Sequence, residues 1–113
     1  MLIILAIIQV ESGGDISAVG DGGKAIGCLQ IHKVMVRDVN RISGKNYTYA
    51  DRLDRTKSIE MFRIYTNHYC TEKRLGRIPT MQDISRCWNG GPNGYRKSCT
   101  VGYWNKVRGA MNE

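Results

Sequence analysis

The chain begins with an almost unbroken apolar run, and this run limits the folds open to it more than any other feature. Residues 2–10 read LIILAIIQV, with a single polar residue. A helix that is apolar nearly all round is typical of the buried centre of a protein, so this segment predicts a central helix from Leu2 to Glu11. The run is about half the length that a membrane span needs. Ser12, Gly13 and Gly14 then end the helix, because glycine suits a helix C-terminus.

One carboxylate, Glu11, lies on the last turn of this apolar helix. The carboxyl end of a helix dipole disfavours a negative charge, and burial against Ile7, Ile8 and Val10 would disfavour it further. Both effects predict a raised pKa, with which Glu11 can donate a proton near neutral pH. The alternative is a glutamate that faces water at a fraying helix end, and position alone leaves both open.

The rest of the chain shows helical periodicity broken by turn chemistry. We predict helices over residues 28–42, 55–75, 80–88 and 103–111, with Thr80 as N-cap and Asp83 three residues on. Residues 15–27 leave room for at most a short hairpin, residues 43–51 form a polar loop, and NGGPNG at 89–94 is a turn. No repeat or linker divides the 113 residues. We therefore expect one domain, residues 1–113, of the α+β class but mostly α, with a very small β-hairpin or irregular region between the first two helices.

The net charge is strongly positive. Lys plus Arg number 17 and Asp plus Glu number 10, which gives +7 at pH 7. Such a charge favours an anionic partner, which would be nucleic acid, anionic lipid or an acidic polymer such as a bacterial cell wall. A basic domain without such a partner is the alternative. The basic residues are spread along the chain rather than gathered in one run, which argues against nucleic-acid binding.

The four cysteines, Cys28, Cys70, Cys87 and Cys99, have no C-x-x-C spacing, which argues against a zinc or redox motif. An even number in a small chain permits one or two disulfides and hence an exported protein, while four unpaired thiols are the alternative. We expect at least one bridge, and the three full pairings stay open. The histidines have no third metal-type residue at helical spacing, so we predict no metal site and no cofactor.

Two further stretches match the chemistry of a sugar site. AIGCLQIH, residues 25–32, places Gln30 near the expected start of a helix that follows a glycine. RCWNGGPNGY, residues 86–95, places Trp88 and Asn89 before a glycine-rich turn. Sugar sites use an aromatic face to stack on the ring and amides to bond hydroxyl and acetamido groups. We therefore take Gln30, Trp88 and Asn89 as candidate substrate-binding residues.

Three motifs in this order, ES-G, A-x-G-x-x-QI and aromatic-N-x-GP, resemble those of the soluble lytic transglycosylases and the related goose-type lysozymes. The stretch from residue 88 to residue 107 also resembles the C-terminal part of invertebrate-type lysozymes. Together the match spans residues 3–107. The resemblance implies the lysozyme-like fold and cleavage of the β-1,4 bond between N-acetylmuramic acid and N-acetylglucosamine in peptidoglycan.

The resemblance also implies roles for single residues. Glu11 matches the family's catalytic acid, and Ser12 matches the serine that follows it, which makes Ser12 a fourth candidate substrate-binding residue. Gln30 matches the glutamine of the G-L-M-Q pattern, and Asn89 matches the asparagine of the Y-N-A-G pattern. Trp88 stands where transglycosylases usually carry tyrosine, which keeps a ring but loses its hydroxyl. Invertebrate-type lysozymes are far richer in cysteine than this chain, so their disulfides do not carry over.

A second carboxylate would decide the reaction, because glycosidases usually pair two. Asp21 is the stronger candidate, since a short strand or turn in VGDGGKAIG could point it back toward Glu11. The D-G pair is equally typical of a turn in which the aspartate bonds its own backbone. Asp15 is expected to be a turn former after the helix stop.

The sequence therefore predicts a peptidoglycan-degrading muramidase with Glu11 as the general acid and Asp21 as the second carboxylate. A lytic transglycosylase that forms 1,6-anhydro-muramyl ends stays open, as does an inactive wall-binding lysozyme-like module. The expected partner is the glycan strand of peptidoglycan, bound by a monomer with no nucleic-acid partner and no membrane insertion. The expected location is secreted or extracytoplasmic, in the periplasm or cell wall, or with a phage as a lysin.

Overall fold

The computed structural model describes residues 3–112 and belongs to the α+β class, mostly α, as the sequence predicts. Within that range the α-helices are α1 (Ile3–Ser12), α2 (Lys33–Ser43), α3 (Arg55–Tyr69), α4 (Glu72–Leu75), α5 (Met81–Gly90) and α6 (Val101–Met111). Strand β1 (Val19–Gly20) pairs antiparallel with β2 (Ala25–Ile26), with Val19 opposite Ile26. The predicted small hairpin between the first two helices is confirmed. No described helix is both long enough and apolar enough to cross a membrane.

Tertiary contacts divide the chain into two compact units. One runs from Glu11 to Tyr65 and contains both strands, and we call it the hairpin unit. The other consists of Met1–Val10 and Thr66–Glu113, and we call it the terminal unit. The single domain over residues 1–113 stays a prediction.

Helix α1 forms where the apolar run predicts a helix and ends at Ser12, one residue beyond the predicted end. Gly13 and Gly14 follow with φ of 64° and 90°. Glycine adopts this left-handed region at little cost, so the predicted glycine stop is confirmed. The predicted start at Leu2 lies outside the described residues.

Burial along α1 is one-sided. Its buried residues are Ala6, Ile7 and Ile8. Leu5, by contrast, is 50% exposed, and Gln9 is exposed as well. The expectation of a helix buried all round is therefore wrong for the described part of α1, which packs with one face only.

Helix α2 begins later than the apolar spacing predicts. Residues 27–30 form a turn, Ile31 bridges back to Ile26, and the helix begins only at Lys33. Gln30 has φ of 51°, which a right-handed helix does not contain. The predicted helix start at residue 28 is therefore wrong, because buried side chains of a turn imitate helical spacing here.

The predicted helix over residues 55–75 consists of two helices. α3 ends at Tyr69, and Thr71 then takes extended backbone angles and accepts a hydrogen bond from the amide of Arg74. Thr71 thereby acts as the N-cap of α4. Gly76 follows α4 with φ of 79°, which confirms the predicted stop.

Helix α5 starts as predicted. Thr80 and Asp83 form a capping box, in which the Asp83 amide donates to the Thr80 hydroxyl and the Thr80 amide donates to the Asp83 carboxylate. α5 extends to Gly90, so Asn89 lies in the helix rather than in the predicted turn. α6 begins at Val101 rather than at residue 103.

Each unit has its own set of buried apolar side chains. In the hairpin unit they are Ala25, Cys28, Leu29, Ile31, Val36, Val39, Met61, Phe62 and Tyr65. In the terminal unit they are Ala6, Ile7, Ile8, Cys70, Cys87, Trp88 and Val107.

Candidate functional site

Glu11 lies in the last turn of α1, as predicted, and is partly buried. The hydroxyl of Ser12 donates a hydrogen bond of 2.8 Å to the carbonyl oxygen of Cys28 and accepts one from the amide of Gly14. This contact fixes the end of α1 against the segment that carries the A-x-G-x-x-Q motif. Two of the three sequence motifs are therefore adjacent within the hairpin unit.

Gly27, the glycine of that motif, lies against the backbone of Arg52. Its φ is 86°, and a Cβ atom at this position would overlap the carbonyl oxygen of Arg52. Its amide donates a hydrogen bond of 2.8 Å to the carbonyl of Ala18. Both the backbone angle and the close approach exclude a side chain, so the motif needs glycine here for packing.

The amide of Gln30 braces the hairpin. Its Nε2 donates to the carbonyl oxygens of Ala18, at 3.1 Å, and Gly27, at 3.0 Å. Its Oε1 lies against Gly20, where a Cβ atom would overlap it. Both amide hydrogens are thus engaged by the protein, which leaves only the acceptor oxygen for a ligand. The role of Gln30 in substrate binding stays a prediction.

Asp21 begins the 3₁₀ turn Asp21–Gly23 at the hairpin tip, with φ of 50°. Its side chain is 68% exposed, and its Oδ2 lies 2.9 Å from Nε2 of His32. The sequence spacing predicts no role for His32. In the structure its imidazole contacts the Asp21 carboxylate at the hairpin tip. The catalytic role of Asp21 stays a prediction.

Asp15 is the turn former that the sequence predicts. Its Oδ1 accepts hydrogen bonds from the amide and the hydroxyl of Ser17, each of 2.9 Å. These hydrogen bonds hold the pKa of the Asp15 carboxyl below its usual value, and the bond from the Ser17 amide contributes most. Asp15 is therefore engaged in local structure.

Trp88 and Asn89 lie in the last turn of α5, in the terminal unit. Trp88 is 5% exposed, so the protein covers nearly all of its ring. Stacking of a sugar on this ring would require a face to be uncovered, whereas Asn89 is exposed as it stands. The turn that follows is held by Arg74, which donates to the Pro92 carbonyl and the Asn93 side chain. The roles of Trp88 and Asn89 in substrate binding stay predictions.

All four cysteines are described, and all four are free thiols. The expectation of at least one bridge is therefore wrong for this structure. Burial raises the pKa of the Cys28 thiol. In the terminal unit Cys70 and Cys87 share a hydrogen bond, which lowers the pKa of Cys87 to about 7 and raises that of Cys70.

A pocket of about 300 Å³ lies in the hairpin unit, and no sequence pattern predicts it. Its lining residues are Gly23, Lys24, His32, Lys33, Val34 and Arg52. Three of these six residues are lysine or arginine, and none is acidic. The three cations are far apart in sequence and share no periodicity, so only the fold brings them together. In residues 3–112 no group of three His, Cys, Asp or Glu side chains is placed to hold a metal ion.

No protein-family model matches the chain, and no curated protein matches it in sequence. The resemblance to lysozyme-like enzymes therefore rests on the sequence alone, on the three short motifs and the stretch from residue 88 to residue 107.

Proposed function

We propose that the protein is a muramidase that cleaves the β-1,4 bond between N-acetylmuramic acid and N-acetylglucosamine in peptidoglycan, with Glu11 as the general acid. One observation carries the proposal: the bond from the Ser12 hydroxyl to the Cys28 carbonyl joins the helix end that bears Glu11 to the segment that bears Gln30. A site built from the ES-G and A-x-G-x-x-Q motifs requires these two segments to be adjacent, and this hydrogen bond makes them so.

The local structure around Glu11 suits a proton donor. The residue is partly buried, and it lies at the carboxyl end of a helix, where the dipole favours the neutral acid. Gly13 and Gly14 follow at once, and a Cβ atom on either would meet no atom within 4 Å. The backbone that follows the helix end is therefore not crowded by other parts of the protein.

Asp21 serves as the second carboxylate in this proposal. Nε2 of His32 holds its Oδ2, while Oδ1 has no partner among the described residues. A free carboxylate oxygen can stabilise the cation that forms when the glycosidic bond breaks. A separation of about 5 Å from Glu11 would give retention, and roughly 6.5 to 9.5 Å would give inversion.

The net charge supports the expected partner. Peptidoglycan and its attached polymers are anionic, and a chain of +7 is attracted to such a surface. Binding to walls should therefore weaken as salt rises, because long-range attraction is screened.

The test is Glu11→Gln, measured by lysis of bacterial walls. The amide has the same shape but cannot donate a proton, so we expect lysis to fall by about a hundredfold or more. Wall pull-down and circular dichroism should be nearly unchanged. Glu72→Gln, at an exposed position of α4, is the matched control and should keep full activity. If the Glu11 variant kept half of the wild-type activity, Glu11 would not be the acid. If wild type bound walls without lysing them, the protein would be a binding module.

A lytic transglycosylase is the second candidate, and the contact between Asp21 and His32 favours it. If that contact keeps Asp21 away from the reacting carbon, Glu11 acts alone. Glu11 first gives its proton to the glycosidic oxygen as the bond from that oxygen to the anomeric carbon breaks. The muramyl 6-hydroxyl then attacks the anomeric carbon, the Glu11 carboxylate takes the hydroxyl proton, and a 1,6-anhydro end forms. Such an end is lighter than a reducing end by one water, so mass spectrometry of digested walls separates the two reactions. Anhydro products from a fully active Asp21→Asn variant would support the second candidate; reducing ends and an inactive variant would support hydrolysis.

A further inference from the structure

We propose that the hairpin unit contains an oxyanion-binding pocket, formed by Arg52, Lys24 and Lys33, for the carboxylate or phosphate group of a small molecule, free or part of a polymer. The proposal does not rest on the muramidase reaction, since Glu11 does not line the pocket. It adjoins the candidate second carboxylate, because His32 lines the pocket and also contacts Asp21.

Arg52 is a buried cation without a counter-charge. It is 7% exposed, and no carboxylate among the described residues lies within ion-pair distance of its guanidinium. Burial lowers the pKa of this group, which reflects the loss of water around the charge. Proteins rarely leave a buried charge unpaired, because the desolvation is then uncompensated. A bound anion would supply the missing partner.

The guanidinium is held in a fixed orientation by backbone carbonyls. Nε donates to Tyr49 at 2.8 Å, and Nη1 donates to Ile31 at 3.0 Å and to Lys24 at 3.4 Å. Nη2 donates to no protein atom in the described part of the chain. Since Arg52 lines the pocket, Nη2 is the donor that remains for a ligand. Such a preset donor loses little entropy when it binds.

Lys24 and Lys33 add two exposed ammonium groups to the same pocket, and neither has a carboxylate partner among the described residues. Lys33 Nζ lies 4.9 Å from the centre of the Tyr49 ring. Lys33 and Val34 are also the first residues of α2, an 11-residue helix whose N-cap, His32, makes no side-chain capping bond. The amides of a first helical turn have no acceptor within the helix and favour anions.

The size of the pocket indicates the class of ligand. About 300 Å³ is the lower end of the range for small-molecule sites and is larger than a bare oxyanion requires. Three of the six lining residues are cationic and none is acidic, so charge would select an anionic group, while the rest of a ligand could contact the apolar part of the lining. We therefore assign the pocket to the oxyanion group of a small carboxylic acid or phosphate ester, free or part of a polymer.

The test is a titration of the ¹⁵N-labelled protein with inorganic phosphate and, separately, with acetate, at an ionic strength kept constant with chloride. We expect saturable shifts of the Val34 amide and the Arg52 Nε resonances. Lys24→Gln/Lys33→Gln should weaken binding by roughly twofold to fivefold for each lysine removed. If only phosphate binds, the natural ligand is a phosphate ester. If only acetate binds, it is a carboxylic acid, and if both bind, the pocket accepts oxyanions in general.

Lys73→Gln/Lys106→Gln is the matched control, because both lysines are exposed in the terminal unit and the net charge falls equally. Its affinity should stay at the wild-type value. Equal weakening in both double variants would overturn the proposal in favour of general charge attraction. Shifts that do not saturate, or no response beyond that to chloride, would overturn it as well. Glu11 is unchanged throughout, so the outcome is independent of wall lysis.

Discussion

The buried charges of the two units are compensated in opposite ways. In the terminal unit Asp83 is 2% exposed and receives hydrogen bonds from both terminal nitrogens of Arg77 and from the amide and hydroxyl of Thr80. In the hairpin unit Arg52 is 7% exposed and donates to backbone carbonyls alone. One charge has a full set of charged and polar partners, while the other has no partner of opposite charge.

The difference separates a structural charge from a binding one. Burial raises the pKa of Asp83, but the hydrogen bonds from Arg77 and Thr80 outweigh it, so the net shift is downward. That carboxylate caps α5 and has no capacity left for a ligand. The burial of Arg52 is offset by backbone carbonyls and by the Tyr49 ring, whose centre lies 5.6 Å from the guanidinium carbon, but by no carboxylate, and the residue lines an open pocket. An unmatched buried charge beside a cavity is where a ligand site is expected.

The largest effect should come from Gly27→Ala, which disrupts the packing around Arg52 in the hairpin unit. The new methyl group would overlap the Arg52 carbonyl, and the φ of 86° is unfavourable for alanine. We expect a loss of about 4 kcal/mol or more in the free energy of unfolding, which would leave little folded protein. Chemical denaturation measures it.

Gly44→Ala is the control for backbone angle alone. Gly44 has φ of 72°, but a Cβ atom there would meet no atom within 4 Å, so its replacement should cost about 1 kcal/mol. Equal losses at Gly27 and Gly44 would contradict the close approach to Arg52 and leave only the backbone angle as the cause.

Asp83→Ala should have the next largest effect, because it removes the buried charge of the terminal unit. It removes the capping contact of α5 and the buried carboxylate that accepts from Thr80, at a cost of about 2 kcal/mol in the free energy of unfolding, while Arg77 is left exposed to water. Asp38→Ala removes an aspartate that pairs with the exposed Arg41, and should cost about 0.5 kcal/mol or less. A loss at Asp83 as small as that at Asp38 would show that the buried carboxylate and its hydrogen bonds add no stability.

Local signals predicted well those elements whose cause is local. Gly13 and Gly76 end helices as expected, and the capping box at Thr80 and Asp83 forms as its spacing predicts. Each of these depends on residues within one turn of each other, where short-range sterics and hydrogen bonds decide the backbone.

Features that depend on distant residues were missed. The late start of α2 follows from the bridge between Ile26 and Ile31, and the pocket follows from Arg52 meeting the start of α2. Trp88 was expected to offer a ring face for stacking but is buried in the fold. Of the candidate site, the sequence predicted the helix end at Glu11, whereas the bond that joins its neighbour Ser12 to Cys28 is a tertiary contact.

The contribution of the Asp83 charge to stability should also be measurable from its pH dependence, as a smaller effect than that of the substitutions. Its folded pKa lies below the ordinary value of 3.8, so its stabilisation is present above that pH and is lost as pH falls toward the folded pKa. We expect wild type to lose more stability than Asp83→Asn as the pH falls from about 5 to about 2. Denaturation curves at several pH values measure this. Parallel loss in both proteins would assign the acid sensitivity to other carboxyls.

The smallest effect should come from alkylating the native protein, and it compares the thiols of the two units. The lowered pKa of about 7 favours Cys87 as a nucleophile, but it is buried, as are Cys28 and Cys70, while Cys99 is exposed. If access outweighs ionisation, iodoacetamide adds first and only to Cys99, with no change in Tm. Mass spectrometry after digestion locates the adduct, and a first adduct on Cys87 would show that the terminal unit opens readily.

In denaturant without reductant all four thiols should react, because none is bridged. Two adducts fewer would restore the disulfide that the cysteine count suggests.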